Sequence, residues 1–254
     1  MKWKLNIRKE IKVAAALVAV SFLIAFTERK QGGAVCSTIV IELDNEQENH
    51  FMDEADVLKL VETSGQPVKG MSIERVNLKA IEAKLKFDKH IRDAELYGDL
   101  KGNLVVNVEL RRPMARIVQE DAPDAYIAED GTIMPVSEKY TSRVVLISGP
   151  FVKELLASED LNKTEEGTQL LEMIRLINKN AFWKAQVAQL DMDRSGKITL
   201  YPQVTGQIVE FGKPEDLEAK FKKLKIFYKE ILPTRGWTKY ARVNLEYEGQ
   251  VIAE

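Results

Sequence analysis

The pattern of hydrophobic positions begins with one uninterrupted apolar segment, Val13 to Phe26. One acid, Glu10, and five basic residues precede it; the basic residues are Lys2, Lys4, Arg8, Lys9 and Lys12. Positive charge on one flank of an apolar helix predicts a cytoplasmic location for that flank. A helix of 14 residues rises about 21 Å, whereas a bilayer core is about 30 Å thick, so the helix has to extend backwards to span it. We predict a cytoplasmic basic tail, residues 1–12, and a transmembrane anchor, residues 13–27.

A second interpretation of the same segment stays open. The apolar stretch of a cleaved signal peptide is typically about 7–15 residues long, and Ala34-Val35-Cys36 offers a possible cleavage site. However, the charged run from Thr27 to Lys30 directly follows the apolar segment, where a signal peptide usually has small neutral residues. Retention of the segment as an anchor is therefore favoured.

Behind the anchor, the apolar periodicity predicts a small domain, residues 28–112, with the element order β-α-α-β-β. Asp53 has the features of a helix N-cap, and acids in the following turn suit the positive end of the helix dipole. The predicted elements are a strand at Val35–Leu43, helices from Asp53 to Gly65 and around Leu78–Leu85, and strands at Ile91–Tyr97 and Leu104–Leu110. This order predicts an open sheet with two helices on one side.

The remaining residues, 113–254, show short alternating segments and two amphipathic helices. The helices are Thr168–Asn178 and Leu217–Ile231, and Pro233 and Gly236 are expected to close the second. The predicted strands are Ala115–Gln119, Ala125–Ala128, Val144–Ile147, Val187–Asp191, Lys197–Tyr201, Gln207–Phe211 and Ala241–Glu248. The predicted fold class is therefore α+β, with a single N-terminal transmembrane helix and a mixed, β-rich second domain that contains two helices.

Composition excludes several classes of function. The 254 residues are 45% hydrophobic and 30% charged, with a net charge of −2 and interleaved acids and bases, so no basic stripe points to nucleic acid. The one cysteine, Cys36, cannot form an internal disulfide, and the domains have to rely on their own hydrophobic cores. Cys36 lies a few residues outside the predicted anchor, where lipidation or cross-linking is the alternative, and we interpret it as a free thiol without a function.

Residue types found in catalytic and metal sites occur without the spacing that such chemistry needs. The segment from Asp191 to Ile198 imitates the start of a calcium loop, but Pro202 takes the twelfth position, where calcium needs a bidentate Glu, so a hairpin turn is the better interpretation. His50 and His90 are the two histidines, and neither has a second ligand at metal spacing. We predict no enzyme, and no catalytic residue, metal, cofactor or small-molecule substrate.

Four segments resemble the FtsQ/DivIB family of bacterial cell-division proteins in their order and spacing. They are Asp53–Leu58, Val106–Arg116 with its Arg-Arg-Pro, Ala125–Gly131 and Asn244–Tyr247. The last one departs from the family pattern, because Asn244 and Glu246 replace residues that are usually charged. The resemblance covers nearly the whole chain and implies a basic tail, one anchor, a membrane-proximal POTRA domain and a β-rich domain.

The same resemblance implies a function. Members of the family are non-enzymatic scaffolds that bridge early and late components of the division machinery and bind coiled-coil subunits of the FtsB/DivIC and FtsL type. Their known mode of binding is strand addition at the C-terminal edge of the β domain, while the POTRA domain serves recruitment. We accordingly expect a single-pass protein of the cell inner membrane with a cytoplasmic N-terminus and periplasmic domains.

The predicted final strand, Ala241–Glu248, would suit strand addition, because an edge strand leaves backbone groups unpaired for an incoming strand. The residues expected to bind the partner are Arg242, Asn244, Glu246, Tyr247 and Glu248. The alternative is a paired central strand with Tyr247 in the core.

A second candidate surface is formed by Arg111, Arg112 and Arg116, which could recruit an acidic partner. A solvated face is the alternative interpretation of these three arginines.

A different class of function also fits a POTRA-like domain, namely a secreted or membrane-tethered module in protein export or outer-membrane assembly. Proteins of that class tend to contain several such units or a transmembrane barrel. The sequence shows one unit and no repeat, which favours the division scaffold.

Overall fold

The computed structural model describes residues 11, 13–23, 35–45, 49–65, 67–204 and 206–254. The chain divides into two compact units. The smaller combines Asp53–Asp88 and Asp93–Glu109 with the chain up to Asp44, and the larger combines Asn45–Met52, Lys89–Arg92 and Leu110–Glu254.

Residues 13–23 form a helix, α1, in which every side chain is exposed. None of the helices within the described ranges has the length and apolar character that a membrane crossing requires. The predicted basic tail, apart from residue 11, and the predicted end of the anchor, residues 24–27, lie outside the described residues. The transmembrane anchor stays a prediction.

The smaller unit has the predicted order β-α-α-β-β. Its elements are β1 (Ile39–Asp44), α2 (Glu54–Glu62), α3 (Leu78–Phe87), β2 (Ile91–Gly98) and β3 (Leu104–Leu110), with a short 3-10 turn at Ile73–Arg75. The three strands form one sheet in the order β1-β3-β2, and β1 runs parallel to β3. Cys36 is buried, with 1% of its surface exposed.

The first turn of α2 explains why Asp53 was recognisable as its N-cap from the sequence. The Asp53 carboxylate accepts a hydrogen bond from Asp56 N at 3.0 Å, and the Asp56 carboxylate accepts one from Asp53 N at 3.0 Å. This reciprocal capping box satisfies two of the backbone donors that a helix start leaves without partners. Val57 and Val61 follow at helical spacing and are fully buried, so one face of α2 packs into the unit.

The larger unit is built on a nine-stranded sheet in the order β12-β11-β10-β9-β8-β7-β4-β5-β6. Its strands are β4 (Pro113–Ile117), β5 (Ala125–Ala128), β6 (Ile133–Pro135), β7 (Val145–Ser148), β8 (Val187–Met192), β9 (Ile198–Pro202), β10 (Ile208–Gly212), β11 (Arg242–Asn244) and β12 (Ile252–Ala253). Its helices are α4 (Val152–Ser158), α5 (Glu165–Lys179), α6 (Ala181–Gln186), α7 (Leu217–Ile226) and α8 (Leu232–Arg235).

Side chains that alternate along the strands give this sheet an apolar face and a more polar one. Ile147, Leu190, Leu200, Val209 and Val243 are buried on the first face, in one core with residues of the helices. The second face presents Ser148, Asp191, Thr199, Glu210 and Asn244, because successive residues of a strand point to opposite sides. The helices therefore cover one face and leave polar side chains on the other.

The prediction of two helices in this unit is wrong, because the described residues contain five. The helices α4 and α6 have 7 and 6 residues, too few for a clear apolar periodicity. The predicted end of the second helix is half right. Pro233 does not stop it, since α7 continues through a π-helical turn, Phe227–Ile231, into α8, but Gly236 is the C-cap, as predicted. Pro233 has no N–H to donate within the helix. One residue later, Thr234 Oγ1 donates to the carbonyls of Glu230 and Ile231 at 3.0 and 2.9 Å.

Candidate partner-binding edge of the β-sheet

The strand predicted at the sheet edge, Ala241–Glu248, is shorter than expected and is not the outermost one. It is β11, which covers Arg242–Asn244 and pairs with β10 on one side and β12 on the other. The prediction of an exposed edge at this strand is therefore wrong. No sequence pattern predicted β12, because it has two residues and no periodicity of its own. The outermost strand at this end of the sheet is β12.

Backbone hydrogen bonds show which groups of β12 face outwards. Glu254 N donates to Arg242 O at 3.0 Å, and Arg242 N donates to Glu254 O at 3.1 Å. In an antiparallel ladder, the residues next to such a reciprocal pair direct their N–H and C=O groups to the opposite side. Ala253, which lies opposite Val243, therefore presents its N–H and C=O to the outer edge. Val251 has the same orientation if the alternation continues by one step.

A pocket of about 160 Å³ lies on the polar face beside this edge and is lined by Glu210, Arg242, Asn244, Tyr247, Ile252 and Glu254. The Glu210 carboxylate joins β10 to β11, because Arg242 Nη1 donates to one of its oxygens and Asn244 Nδ2 to the other, both at 2.7 Å. The Arg242 side chain is 60% exposed. A guanidinium has five donors, so Arg242 retains donors that can face a bound segment.

Three of the five predicted partner-binding residues, Arg242, Asn244 and Tyr247, line this pocket. Glu246 instead turns to Lys197, whose Nζ lies 2.8 Å from its Oε2, and this hydrogen bond raises the pKa of Lys197 above its usual value. Glu248 is exposed in the loop between β11 and β12. A binding role for all five stays a prediction.

Sequence reasoning missed Glu210, Ile252 and Glu254. Glu210 could have been noticed because it is the one charged residue in the otherwise apolar strand Ile208–Gly212. Its partner Arg242 lies 32 positions further along the chain, a distance at which no local pattern reports a contact.

Arg111, from the predicted recruitment surface, is held inside the larger unit. Its Nε donates to Asp130 Oδ2 at 2.8 Å, one Nη donates to Lys89 O at 3.1 Å, and its side chain is 15% exposed. Burial opposes ionisation of Asp130, but hydrogen bonds from Arg111 and Thr132 outweigh it and lower the pKa of this carboxyl. Arg111 therefore stabilises the turn before β6 by binding Asp130.

The other two arginines also have internal partners. Arg116 lies 2.7 Å from the Asp124 carboxylate and 5.6 Å above the Tyr126 ring, and Arg112 donates to the Asn45 side chain. The free cationic cluster that the spacing suggested is therefore not what the structure presents. Recruitment through these residues stays a prediction.

The remaining motifs have structural explanations in the described residues. The calcium-loop imitation is a β8–β9 hairpin turn, in which Asp193 Oδ1 accepts from Ser195 N at 2.8 Å and from Lys197 N at 3.0 Å. His50 and His90 make edge-on ring contacts with an aromatic cluster, His50 with Tyr140 and His90 with Phe51. Within the described residues, no group of three or more His, Cys, Asp or Glu side chains is arranged to hold a metal ion.

Comparison with known proteins matches both units to domain families. Residues 112–254, more than half of the chain, match the family model described as FtsQ/DivIB, C-terminal related, and residues 34–109 match a POTRA-like domain. A search of curated proteins finds no match. FtsQ/DivIB proteins are a non-catalytic family, and these domains support a role in cell division. The chain belongs to the FtsQ/DivIB family of bacterial division proteins.

Proposed function

We propose that this protein is a single-pass scaffold of the bacterial inner membrane that bridges early and late division proteins. In this proposal the N-terminus is cytoplasmic and both folded units are periplasmic. Division subunits of the FtsB/DivIC and FtsL type bind the β-rich unit by strand addition. The observation that supports this most directly is the outer edge of β12, where Ala253 directs its backbone groups away from the sheet.

The proposed topology depends on the sequence before the folded units. Five basic residues precede the apolar segment from Val13 to Phe26, which favours a cytoplasmic tail. A tether of this kind would keep the β-rich unit near membrane-anchored partners and raise their effective concentration.

An added strand would contact β12 through its backbone and through side chains on both faces of the sheet. Its backbone would pair with Ala253, and its side chains would alternate between the two faces of the sheet. On the polar face they would meet the pocket at Arg242 and Glu254. On the other face they would lie beside the half-buried Val251 and Ala253, which favours small apolar residues there. We propose an amphipathic partner strand for this reason.

The proposal includes no catalytic step. The family is non-catalytic. Ser148 pairs with a carboxylate but has no histidine partner: it donates to Asp191 at 2.5 Å and accepts from Gln189 at 2.7 Å. Both histidines lie in the aromatic cluster around Phe51. A serine without a histidine base lacks the activation that nucleophilic catalysis needs.

The export or outer-membrane assembly function is disfavoured by the second domain. A POTRA-like domain fits either function, but residues 112–254 match a domain named for division proteins. We therefore retain the division scaffold as the proposal.

A proline at the edge tests the proposed binding mode. Ala253→Pro removes the outward N–H and leaves the inward hydrogen bonds of Glu254 in place, whereas Ala253→Val keeps the N–H. We measure the affinity of the full chain for the FtsB/DivIC-type subunit encoded in the same genome. We expect Ala253→Pro to weaken binding by about tenfold or more and Ala253→Val by less than about twofold. Equal affinity of the two variants would exclude strand addition at β12.

A further inference from the structure

One lysine of α7 contacts the loop that connects β11 to β12. Lys223 Nζ donates to the carbonyls of Leu245 at 3.0 Å, Tyr247 at 2.7 Å and Gln250 at 3.3 Å. An ammonium group has three protons and no acceptor, so these three carbonyls use its whole donor capacity. The contact joins a helix of the covered face to the segment that leads into the edge strand.

Apart from Val251, which packs against the core, the second half of this loop has no buried side chain. Leu245 is buried, but residues 246–250 are exposed, and segments with few buried apolar contacts open locally at low free-energy cost. The strand that follows, β12, has two residues and pairs with β11 alone. The position of β12 therefore also depends on the conformation of the loop that precedes it.

The first half of the loop has its own supports. Glu246 N donates to Asn244 Oδ1 at 2.8 Å, and the Glu246 carboxylate binds Lys197 at 2.8 Å. Glu246 also packs against Gly212, where an added Cβ would lie 2.7 Å from its Cγ. Lys223 differs from these supports because its ammonium group also binds the carbonyls of Tyr247 and Gln250, which lie after Glu246 and closer to β12.

We propose that Lys223 is a positioning residue for the partner-binding edge, whose ammonium group holds the β11–β12 loop so that β12 presents its outer backbone groups to a partner strand. This inference rests on the proposed function. It assigns to α7 a role in recognition, although α7 lies on the opposite side of the sheet from the polar pocket.

The neighbouring lysines provide matched controls. Lys222 is exposed on the same helix and makes no hydrogen bond or ion pair within the described residues. Lys220 points elsewhere: its Nζ donates to Lys213 O at 2.8 Å and lies 5.1 Å from the centre of the Phe211 ring. Loss of positive charge from α7 is therefore separable from loss of the three carbonyl contacts.

The first experiment measures hydrogen exchange of the full chain, purified in detergent, for Lys223→Met, Lys223→Arg and Lys222→Met. We expect Lys223→Met to speed the exchange of residues 246–254 by about tenfold or more, without a comparable change in β8 and β9. Lys223→Arg should restore much of the protection, and Lys222→Met should match the unmodified chain. Unchanged exchange in Lys223→Met would overturn the inference.

The second experiment measures affinity for the same FtsB/DivIC-type subunit. We expect Lys223→Met to weaken binding by about tenfold, with partial recovery in Lys223→Arg. Faster exchange without weaker binding would also overturn the inference. If circular dichroism shows that Lys223→Met does not fold, Lys223→Gln is measured in its place under the same criteria.

The two proposals fail in different ways. If Ala253→Pro weakens binding and Lys223→Met does not, strand addition stands and the role of Lys223 falls. If Ala253→Pro binds as well as Ala253→Val, strand addition at β12 falls, and the role of Lys223 in recognition falls with it.

Discussion

The two outer strands of the nine-stranded sheet, β6 and β12, differ in what their outward backbone groups meet. At β6, Ile133 donates its outward N–H to Glu159 O at 3.0 Å, and the next outward position is Pro135, which has no N–H. At β12, Ala253 presents an outward N–H with no strand beyond it in the described part of the chain. Proteins commonly block exposed edges against unwanted pairing. Other parts of the chain therefore cover the edge at β6, whereas the edge at β12, to which the proposed function assigns the partner strand, stays uncovered in the described residues.

The closure of β6 is built from several contacts with the segment before α5. Leu161 N donates to Gly131 O at 2.9 Å, and Asn162 Nδ2 donates to Asp130 O at 2.7 Å. At the other end of the strand, His90 Nε2 lies 3.1 Å from Pro135 O. At the open edge, Lys223 holds the loop before β12 from one side and leaves the outer groups of the strand uncovered.

The largest stability effect is expected when the closed edge is disrupted at its turn. Gly131 has φ +93°, and an added Cβ would lie 2.3 Å from Asn162 Nδ2. Gly131→Ala should therefore lower the free energy of unfolding by about 2 kcal/mol or more. Urea denaturation measures the change. Gly196→Ala is the control, because Gly196 has φ +77° with open space around it and should cost only about 1 kcal/mol. Equal losses in the two variants would contradict the steric closure of β6.

A smaller, pH-dependent effect is expected at the ion pair beside that turn. The pKa of Asp130 is lowered in the folded state, since hydrogen bonds from Arg111 and Thr132 outweigh the effect of burial. Its contribution is therefore fully present above the unfolded pKa of about 3.9 and is lost as the pH falls through the folded value. Asp130→Asn should cost about 1–2 kcal/mol at pH 7.

Urea denaturation of both forms at a series of pH values tests this linkage. The difference between the unmodified chain and Asp130→Asn should shrink as the pH falls below about 4. Asp121→Asn, at an exposed position, is the control for a general effect of removing one carboxylate. A difference that stays constant down to pH 2 would contradict the assigned cause.

The smallest effect is expected at the open edge, where Lys197 meets Glu246. Both side chains are partly exposed, at 48% and 36%, so the pair is screened by solvent. Lys197→Met should speed hydrogen exchange in residues 245–250 by less than about threefold, and about 1 M salt should remove the difference.

The contact between Lys197 and Glu246 also depends on pH. Because Glu246 raises the pKa of Lys197, the contact is present below the unfolded pKa and is lost as the pH rises through the folded value. If Lys197→Met sped exchange as much as Lys223→Met, the smaller contribution assigned to Lys197 would be wrong.

Short-range patterns predicted much of the fold. Asp53 signalled the start of α2, Leu78 and Leu85 marked α3, and Ala125–Ala128 forms β5 with the predicted bounds. These features depend on residues within one or two turns of each other, so the local sequence contains the information. The helix that begins at Leu217 was predicted, but its continuation past Pro233 was not, because a proline in a sequence ordinarily marks the end of a helix.

The candidate site was predicted less completely. Arg242, Asn244 and Tyr247 were predicted on an edge strand, but the outermost strand is the two-residue β12. The three residues line the pocket beside it, and their binding role stays a prediction. Glu210 and Lys223 were missed because each acts on residues more than twenty positions away. Arg111 was expected on a free surface and is instead paired with Asp130.

The sequence by itself determined the order of the elements in the smaller unit, the longer elements of the larger unit, the two domain families and the alternation that leaves one sheet face polar, because periodicity and capping are local properties of the chain. Only the tertiary structure decided which strand lies outermost, which charges are already paired and which loop the Lys223 ammonium holds. Those outcomes depend on hydrogen bonds and ion pairs between segments far apart in the chain, and their geometry exists only after the segments have packed.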